Sequence, residues 1–299
     1  ANKIFVPTQS LGRCASPYMR ILALIILLSL TLNVFGQLQL DIENTLSTKN
    51  FSIFKKYVDS LSNQKKRIRI YWETEREITN DFEESILIVQ QFTPQKKDSN
   101  ISNVITFRVN ILSTNNTILF YDLMEEKSKK EDNEWVEYFQ SIITYQNDSL
   151  FKKLEINFLN SFGGQLNKQQ LFTDSVIYGS RCGKAPSDPI ERFYLDNFIE
   201  LQDKVSLLKW LQSTNVETQL YAVEGFYKLK KAGYKINDNE LLFIKNILKR
   251  KGTARTCGGC TYRDEKIIEI AKKFKSPNRE IFFNLPILRY RCKCFESWR

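Results

Sequence analysis

Four cysteines near the end of the chain have the most specific spacing of its reactive side chains. Cys257 and Cys260 form a CxxC pair, and Cys292 and Cys294 form a CxC pair. Cysteines of an exported protein form disulfides by default, and a bridge between adjacent-but-one cysteines is strained. We therefore expect cross-links between the two pairs, with Cys182 bonded to whichever cysteine remains or left as a thiol.

Two other chemistries could use the same side chains. Cys257, Cys260, Cys292 and Cys294 could together hold a zinc ion, because two close cysteine pairs can converge on one metal. Alternatively, the CxxC pair could serve a thiol oxidoreductase, because it lies just before a predicted helix whose dipole would lower a thiol pKa. The basic segment 249–256 does not have a strand pattern, so the strand–CxxC–helix order of such enzymes is not predicted.

The chain contains no histidine. This absence excludes Ser-His-Asp and Cys-His catalysis and histidine-ligated zinc or copper sites. The remaining carboxylate candidates, Glu73, Glu75 and Glu77, would share one face of a strand, which is also the pattern of an exposed sheet face. No group of residues predicts a catalytic site, and we expect no cofactor.

Basic residues are concentrated in the second part of the chain. Residues 181–299 hold 24 Lys+Arg against 14 Asp+Glu, a net charge of +10 that equals that of the whole chain. The candidate anion-binding residues are Lys249, Arg250, Lys251, Arg255 and Arg263. They could contact an anionic envelope component or an acidic protein, and we do not expect nucleic acid. A solvated lysine-rich helix face would have the same composition.

The elements that position these residues fall into two regions. Residues 37–180 predict an α+β domain, with one amphipathic helix over residues 37–60 and then a mostly antiparallel sheet. Residues 113–116 are typical of a hairpin turn. The charged segment 125–134 is predicted as a loop, and Leu154–Leu159 as a strand.

Residues 181–299 predict an α-helical, basic domain with a cysteine-rich tail, and the change in charge favours a boundary near Arg181. Asp188 could cap the first helix, with Pro189 at its first position. The run Ser213-Thr214-Asn215 could supply the cap of a later helix, and Thr261 could open the last long one.

The segment Leu207–Leu229, LLKWLQSTNVETQLYAVEGFYKL, resembles a HEAT-type helical repeat. A Leu-Leu…Trp-Leu helix, a short Ser-Thr-Asn turn and a Tyr-Ala-Val-Glu-Gly-Phe helix carry the resemblance. It departs from the family at Gln219, where arginine or aspartate often stands. The resemblance implies an interaction scaffold and no particular chemistry. An ordinary helical bundle is the alternative.

Residues 19–36 have the order of a secretory signal peptide. Met19 and Arg20 form a positive start, residues 21–32 are apolar or small, and Gly36 precedes the expected first mature residue, Gln37. Residues 1–18 lack such a pattern and are interpreted as a non-native or mis-called extension. A membrane anchor through residues 21–35 is the alternative, although the run is shorter than the about 20 residues a spanning helix needs.

These patterns together favour an exported binding or scaffold protein of the cell envelope, either periplasmic or secreted. Its expected partner is a protein or an anionic envelope component, and membrane attachment is expected only if the signal stays uncleaved. A CxxC thiol-disulfide oxidoreductase, or another extracytoplasmic enzyme, is the rival hypothesis.

We predict that export removes residues up to Gly36, because a small residue ends the apolar run there. N-terminal sequencing of the exported protein should begin at Gln37. Recovery of an uncleaved chain that requires detergent would instead support the anchor through residues 21–35.

Overall fold

The computed structural model describes residues 37–63, 67–94, 102–183, 185 and 187–275. The chain divides into two compact units, Ala1–Thr48 and Lys49–Arg299. In the first unit, the described residues form one helix, α1, over residues 37–47. It buries Leu38, Ile42 and Leu46 at helical spacing.

The single helix predicted over residues 37–60 is wrong, because a second helix, α2 (Phe51–Ser62), begins separately. Lys49 lies between them with a φ of 57°. This left-handed backbone conformation does not continue a right-handed helix. Asn50 then starts α2 by accepting a hydrogen bond from the backbone N–H of Ile53.

Five strands form an antiparallel meander in which each strand pairs with the next along the chain. They are β1 (Ile68–Thr79), β2 (Phe82–Pro94), β3 (Ser102–Thr114), β4 (Thr117–Glu131) and β5 (Glu134–Gln146). Asn115 and Asn116 have φ values of 46° and 64°, which confirms the hairpin predicted at residues 113–116. The loop predicted over residues 125–134 is wrong, because β4 and β5 run through it and turn at Asp132.

Both faces of this sheet are packed. On one face, here the α2 face, the rings of Phe51 and Phe54 meet Trp72 edge-on, with centroid distances of 6.0 and 6.4 Å. The opposite face, here the α3 face, packs against helix α3 (Asp148–Phe162). Leu154–Leu159 was predicted as a strand and is part of this helix, because the buried residues recur every three or four positions: Phe151, Leu154, Phe158 and Phe162.

Four helices follow: α4 (Ile190–Glu200), α5 (Lys204–Leu211), α6 (Val216–Lys231) and α7 (Asp238–Lys249). Asn215 accepts a hydrogen bond from Thr218 N–H and caps α6, as predicted. Asp188 does not cap α4, because Pro189 holds the N-cap position without a side-chain bond. The Asp188 carboxylate instead accepts the N–H of Arg181 at 2.7 Å.

A second sheet joins residues far apart in the sequence. It contains β6 (Tyr178–Cys182), β7 (Thr253–Gly259) and β8 (Thr261–Lys266), with β6 parallel and β8 antiparallel to β7. The helix predicted to open at Thr261 begins only at α8 (Ile267–Lys275). Segment 249–256 was predicted to lack a strand, yet β7 begins inside it, because pairing with β6 and β8 supplies its backbone partners.

The α+β class with a mostly antiparallel sheet is confirmed, but the arrangement differs from the prediction. Two helices, α2 and α3, pack on the first sheet instead of one, and a small mixed sheet lies within the helical part. Ile78 and Phe82 share one hydrophobic core with Leu195, Leu220 and Phe226. These residues lie on both sides of the predicted boundary near Arg181.

A buried arginine connects the sheet to the helices. Arg76 of β1 donates from Nε to Glu84 of β2 at 2.9 Å, and from Nη1 to both carboxylate oxygens of Glu217 on α6 at 2.8 and 3.0 Å. Burial alone would lower the pKa of Arg76, but the charges of Glu217 and Glu84 raise it above its usual range. The backbone N–H of Arg255 donates to the same Glu217 carboxylate at 2.9 Å.

A second buried arginine approaches the same region from the end of α7. Arg250 donates to the carbonyl of Ile78 and to the Gln219 side chain, and its guanidinium lies 4.7 Å from the centre of the Phe162 ring. Burial and the charge of Arg76 lower the pKa of Arg250 to about 9, so it stays protonated at neutral pH.

We predict that Glu217→Gln lowers the free energy of unfolding by about 3–5 kcal/mol, because it leaves the buried cations Arg76 and Arg250 with one fewer compensating carboxylate. Glu75→Gln is the matched control, because Glu75 pairs with Lys55 at 43% side-chain exposure and exposed pairs contribute about 0–1 kcal/mol. Urea denaturation followed by circular dichroism measures both. Equal losses in the two variants would show that the buried pair has no special role.

Candidate functional site: a cleft on the sheet

The α3 face of the sheet carries a cleft of about 370 Å³. Strand pleating directs alternate residues of β3, β4 and β5 to this face. Residues 168–173, which follow α3, form the opposite wall. We call this the sheet cleft. It is lined by Arg108, Asn110, Phe120, Asp122, Met124, Phe139, Lys168, Gln169, Leu171, Phe172 and Thr173.

The wall of the sheet cleft is held by polar contacts that begin at the buried arginine network. The backbone N–H of Phe172 donates to the second oxygen of Glu84 at 2.6 Å, and its carbonyl accepts from Arg108 at 2.6 Å. Phe172 has a φ of 60°, which is rare for a bulky residue and costs free energy. Its ring stacks on Phe120 with centroids 5.7 Å apart, which fixes the apolar centre of the cleft.

Two cations border the cleft, and their environments differ. Arg108 is nearly buried and donates to Asp174 at 2.8 Å and to Asn110 at 3.1 Å, so its charge is compensated. Lys168 is exposed and donates to the neutral side chain of Gln146 at 2.9 Å. Its ammonium lies 4.3 Å from the centre of the Phe120 ring. Within the described residues, no carboxylate forms an ion pair with Lys168.

A second buried network with displaced pKa values lies outside the lining of this cleft. Arg192 of α4 makes two hydrogen bonds to Glu224 of α6 at 2.6 and 2.8 Å. Burial alone would raise the pKa of Glu224, but Arg192 holds it below its usual range. Burial and the charge of Glu224 raise the pKa of Tyr178, which donates to Glu224 at 2.9 Å. These side chains are bonded to one another, which is the pattern of a structural network.

A second cleft of about 510 Å³ lies at the hairpin turns of the sheet and is polar. Its lining includes Glu77, Asp81, Glu83 and Lys251. In the part of the chain that the structure describes, no group of three or more histidine, cysteine or acidic residues is arranged to hold a metal ion. The acidic residues here do not form such a site.

The carboxylates predicted on one strand face do not form an acid/base pair. Glu73 lies 3.6 Å from Arg255, and Glu75 lies 2.5 Å from Lys55 on α2. Glu77 accepts the backbone N–H of Lys251 at 3.0 Å. Each carboxylate therefore has a separate partner.

The cysteines confirm the prediction of a disulfide. Cys182 of β6 and Cys257 of β7 are bonded, with Cα atoms 5.6 Å apart, and Cys260 lies 3.7 Å from the carbonyl of Gly183. Cys292 and Cys294 lie outside the described residues. Because Cys257 is already bonded to Cys182, a cross-link from the CxxC pair to the tail would have to use Cys260.

The predicted anion-binding residues do not form one surface. Arg250 is 4% exposed and bonded inside the protein, because the end of α7 directs it towards Ile78. Lys249 and Lys251 are exposed. Arg255 contacts the carbonyl of Asp174 at 3.1 Å, and Arg263 lies 3.6 Å from Glu265.

The sheet cleft was not predicted from the sequence, although one signal was present. Arg108 and Asn110 alternate with Phe107, Val109 and Ile111 in an otherwise apolar strand. Charged residues at such positions indicate either an exposed face or a polar site. Residues 168–173, which form the wall of the cleft, have no comparable pattern in the sequence.

No family model, no curated protein and no solved structure matches this chain. Among the described residues, no helix combines the length and the apolar character needed to span a membrane.

We predict that replacing both cysteines, Cys182→Ser with Cys257→Ser, destabilises the protein by about 4 kcal/mol, because the bond closes a long loop. The two residues are 75 positions apart. Urea denaturation and non-reducing peptide mapping test this. A map that places Cys257 in a bond with Cys260 or with the tail, instead of Cys182, would contradict the assignment.

Proposed function

We propose that the protein is an exported binding protein of the cell envelope, and that the sheet cleft takes an amphipathic anion with an apolar body and a carboxylate or similar head group. The observation that carries this proposal is an apolar cleft bordered by an ammonium that has only a neutral hydrogen-bond partner. The signal-like segment at residues 19–36 is the basis for placing the protein outside the cytoplasm.

The size and lining of the cleft favour a small ligand. Its volume of about 370 Å³ lies within the range of about 300–1,000 Å³ that is typical of ligand pockets. Its apolar contributors are Phe120, Met124, Phe139, Leu171 and Phe172. Such side chains stabilise an aliphatic or aromatic body through burial, and the few polar groups would fix its orientation.

The charges at the cleft favour an anionic head group. Arg108 is compensated by Asp174, and the Asp122 carboxylate accepts hydrogen bonds from Ser141 and Thr144 at 2.6 and 3.1 Å. Lys168 remains the cation whose partner is neutral. Within one chain, an incoming carboxylate would therefore gain a charge-assisted hydrogen bond there without displacing an ion pair.

Binding is favoured over catalysis because, in the described structure, the Asp122 and Lys168 side chains of the cleft are hydrogen-bonded to Ser141, Thr144 and Gln146 and not to each other. The buried networks around Arg76 and Glu224, whose pKa values are displaced, connect secondary-structure elements. The oxidoreductase alternative requires exchange within the CxxC pair, whereas Cys257 is bonded to Cys182, 75 residues away. The resemblance of residues 207–229 to a HEAT repeat is compatible with a scaffold role.

We predict that the exported chain binds dodecanoate and that Lys168→Ala weakens this binding about tenfold. A hydrogen bond to a charged group contributes about 1.5–3 kcal/mol, and 1.4 kcal/mol corresponds to a factor of ten. Isothermal titration calorimetry measures the affinity. Lys153→Ala is the matched control, because Lys153 is exposed on α3 outside the cleft.

Dodecylamine is the matched probe, because it has the same chain length and the opposite charge. It should bind much more weakly than dodecanoate. Equal binding of both probes, equal affinity in Lys168→Ala and the wild type, or no dodecanoate binding would each overturn the proposed site.

A further inference from the structure

Strand β5 is an open edge of the five-stranded sheet. The strand order places it last, and within the described residues it pairs only with β4. The opposite edge, β1, is partly covered, because Arg76 bridges to Gly252 and Glu77 N–H donates to Lys251. The outer side of β5 therefore offers backbone N–H and C=O groups along 13 residues.

The composition of β5 differs from that of a protected edge. It contains no lysine and no proline, and its only charged residues are Glu134 and Glu137. Lysine and proline are common protections of natural edges, and β5 has only two glutamates and one bulge, at Ile142. Four large apolar side chains are instead exposed, at fractions of 72, 38, 39 and 37%: Trp135, Val136, Tyr138 and Ile143. Such an edge fits an interface.

We propose that two copies of this chain pair through β5 in antiparallel orientation, which extends the two sheets into one of ten strands. The twofold axis passes through Gln140, and the bulge at Ile142 shifts the pairing beyond it by one residue. Tyr138 of one copy therefore lies opposite Ile143 of the second, and Val136 lies opposite Tyr145. All four side chains point to the α2 face, as their pairing with β4 shows. Aromatic and β-branched pairs of this kind stabilise antiparallel strands.

This register also accommodates the irregularity in β5. The pairing with β4 skips Ile142, which marks a bulge. Met124 of β4 faces Ser141 beside this bulge on the inner side. In the dimer, Phe139 of the second copy faces the same position on the outer side, so each bulge lies opposite one residue, as bulges require. Gln140 then lies opposite Gln140 of the second copy.

Charge complementarity on the α3 face supports the same register. Glu137 lies opposite Thr144 of the second copy and diagonal to Gln146, the residue to which Lys168 donates at 2.9 Å. Diagonal neighbours are within reach of long side chains. Glu137 of each copy therefore lies within reach of Lys168 of the second, twice per dimer. The Lys168 ammonium has three donors, so it can contact Gln146, Glu137 and a ligand head group together. No like charges face each other across the ladder.

The dimer also adds a residue to the sheet cleft. Trp135 points to the α3 face and lies opposite Gln146 of the second copy. It is therefore placed beside the Lys168 end of that copy's cleft. The Trp135 side chain, which is 72% exposed in one copy, then borders the opening of the sheet cleft in the second copy.

The experiment is light scattering combined with sedimentation equilibrium on the exported chain, from about micromolar to about millimolar concentration. The mass should approach twice that of one chain. Glu137→Lys and Lys168→Glu should each raise the dimer dissociation constant about tenfold or more, because each change places like charges at both symmetric contacts. Combining them should return the constant to within about threefold of the wild type.

Two further variants separate dimerisation from folding and from ligand binding. Lys153→Glu changes the charge as Lys168→Glu does, outside the interface, and should leave the dimer intact. Tyr138→Lys should yield a folded monomer. It should still bind dodecanoate, because Tyr138 points away from the cleft. A monomeric wild type at all concentrations, or a charge swap that does not restore association, would overturn the dimer.

Discussion

The ion pairs of Arg76 are the interaction on which the other parts of the structure depend. Its guanidinium connects β1 to β2 through Glu84 and the sheet to α6 through Glu217. The second oxygen of Glu84 holds the backbone of Phe172, and the wall of the sheet cleft is thereby tied to the same network. Removing three charges from water is costly, so the network is stable only because each carboxylate oxygen has a donor.

Contacts with this network explain why the cleft wall is ordered. Residues 163–177 contain little regular structure, and Phe172 is held in a conformation that is unfavourable for a bulky side chain. Such a segment persists only if surrounding contacts exceed the cost of ordering it. Arg108 and Glu84 provide polar contacts, and Phe120 provides the apolar one. The apolar floor of the cleft therefore depends on charges buried beside it.

How much could be predicted from the sequence depended on the range of the interactions. The first sheet followed from local alternation, and Asn215 capped its helix because capping is a contact across three residues. The ends of β4 and β5 were mistaken for a loop, because Lys127 and Lys129 are polar residues on exposed strands. Strand β7 exists through partners that are distant in the sequence. The cleft wall could not be predicted, because its contacts reach β2 and β3 across more than 60 residues.

The positions of the arginines show why the number of basic residues in a segment overestimates the positive charge on its surface. The excess of +10 in residues 181–299 suggested one anion-binding face. Arg192 and Arg250 are instead buried, and Arg255 is directed towards Glu73 and Asp174. Arginine suits such positions because its planar guanidinium makes several hydrogen bonds at once. At the sheet cleft, the cation with a neutral partner is Lys168, from the part of the chain whose net charge is zero, and its position is set by contacts with Gln146 and Phe120.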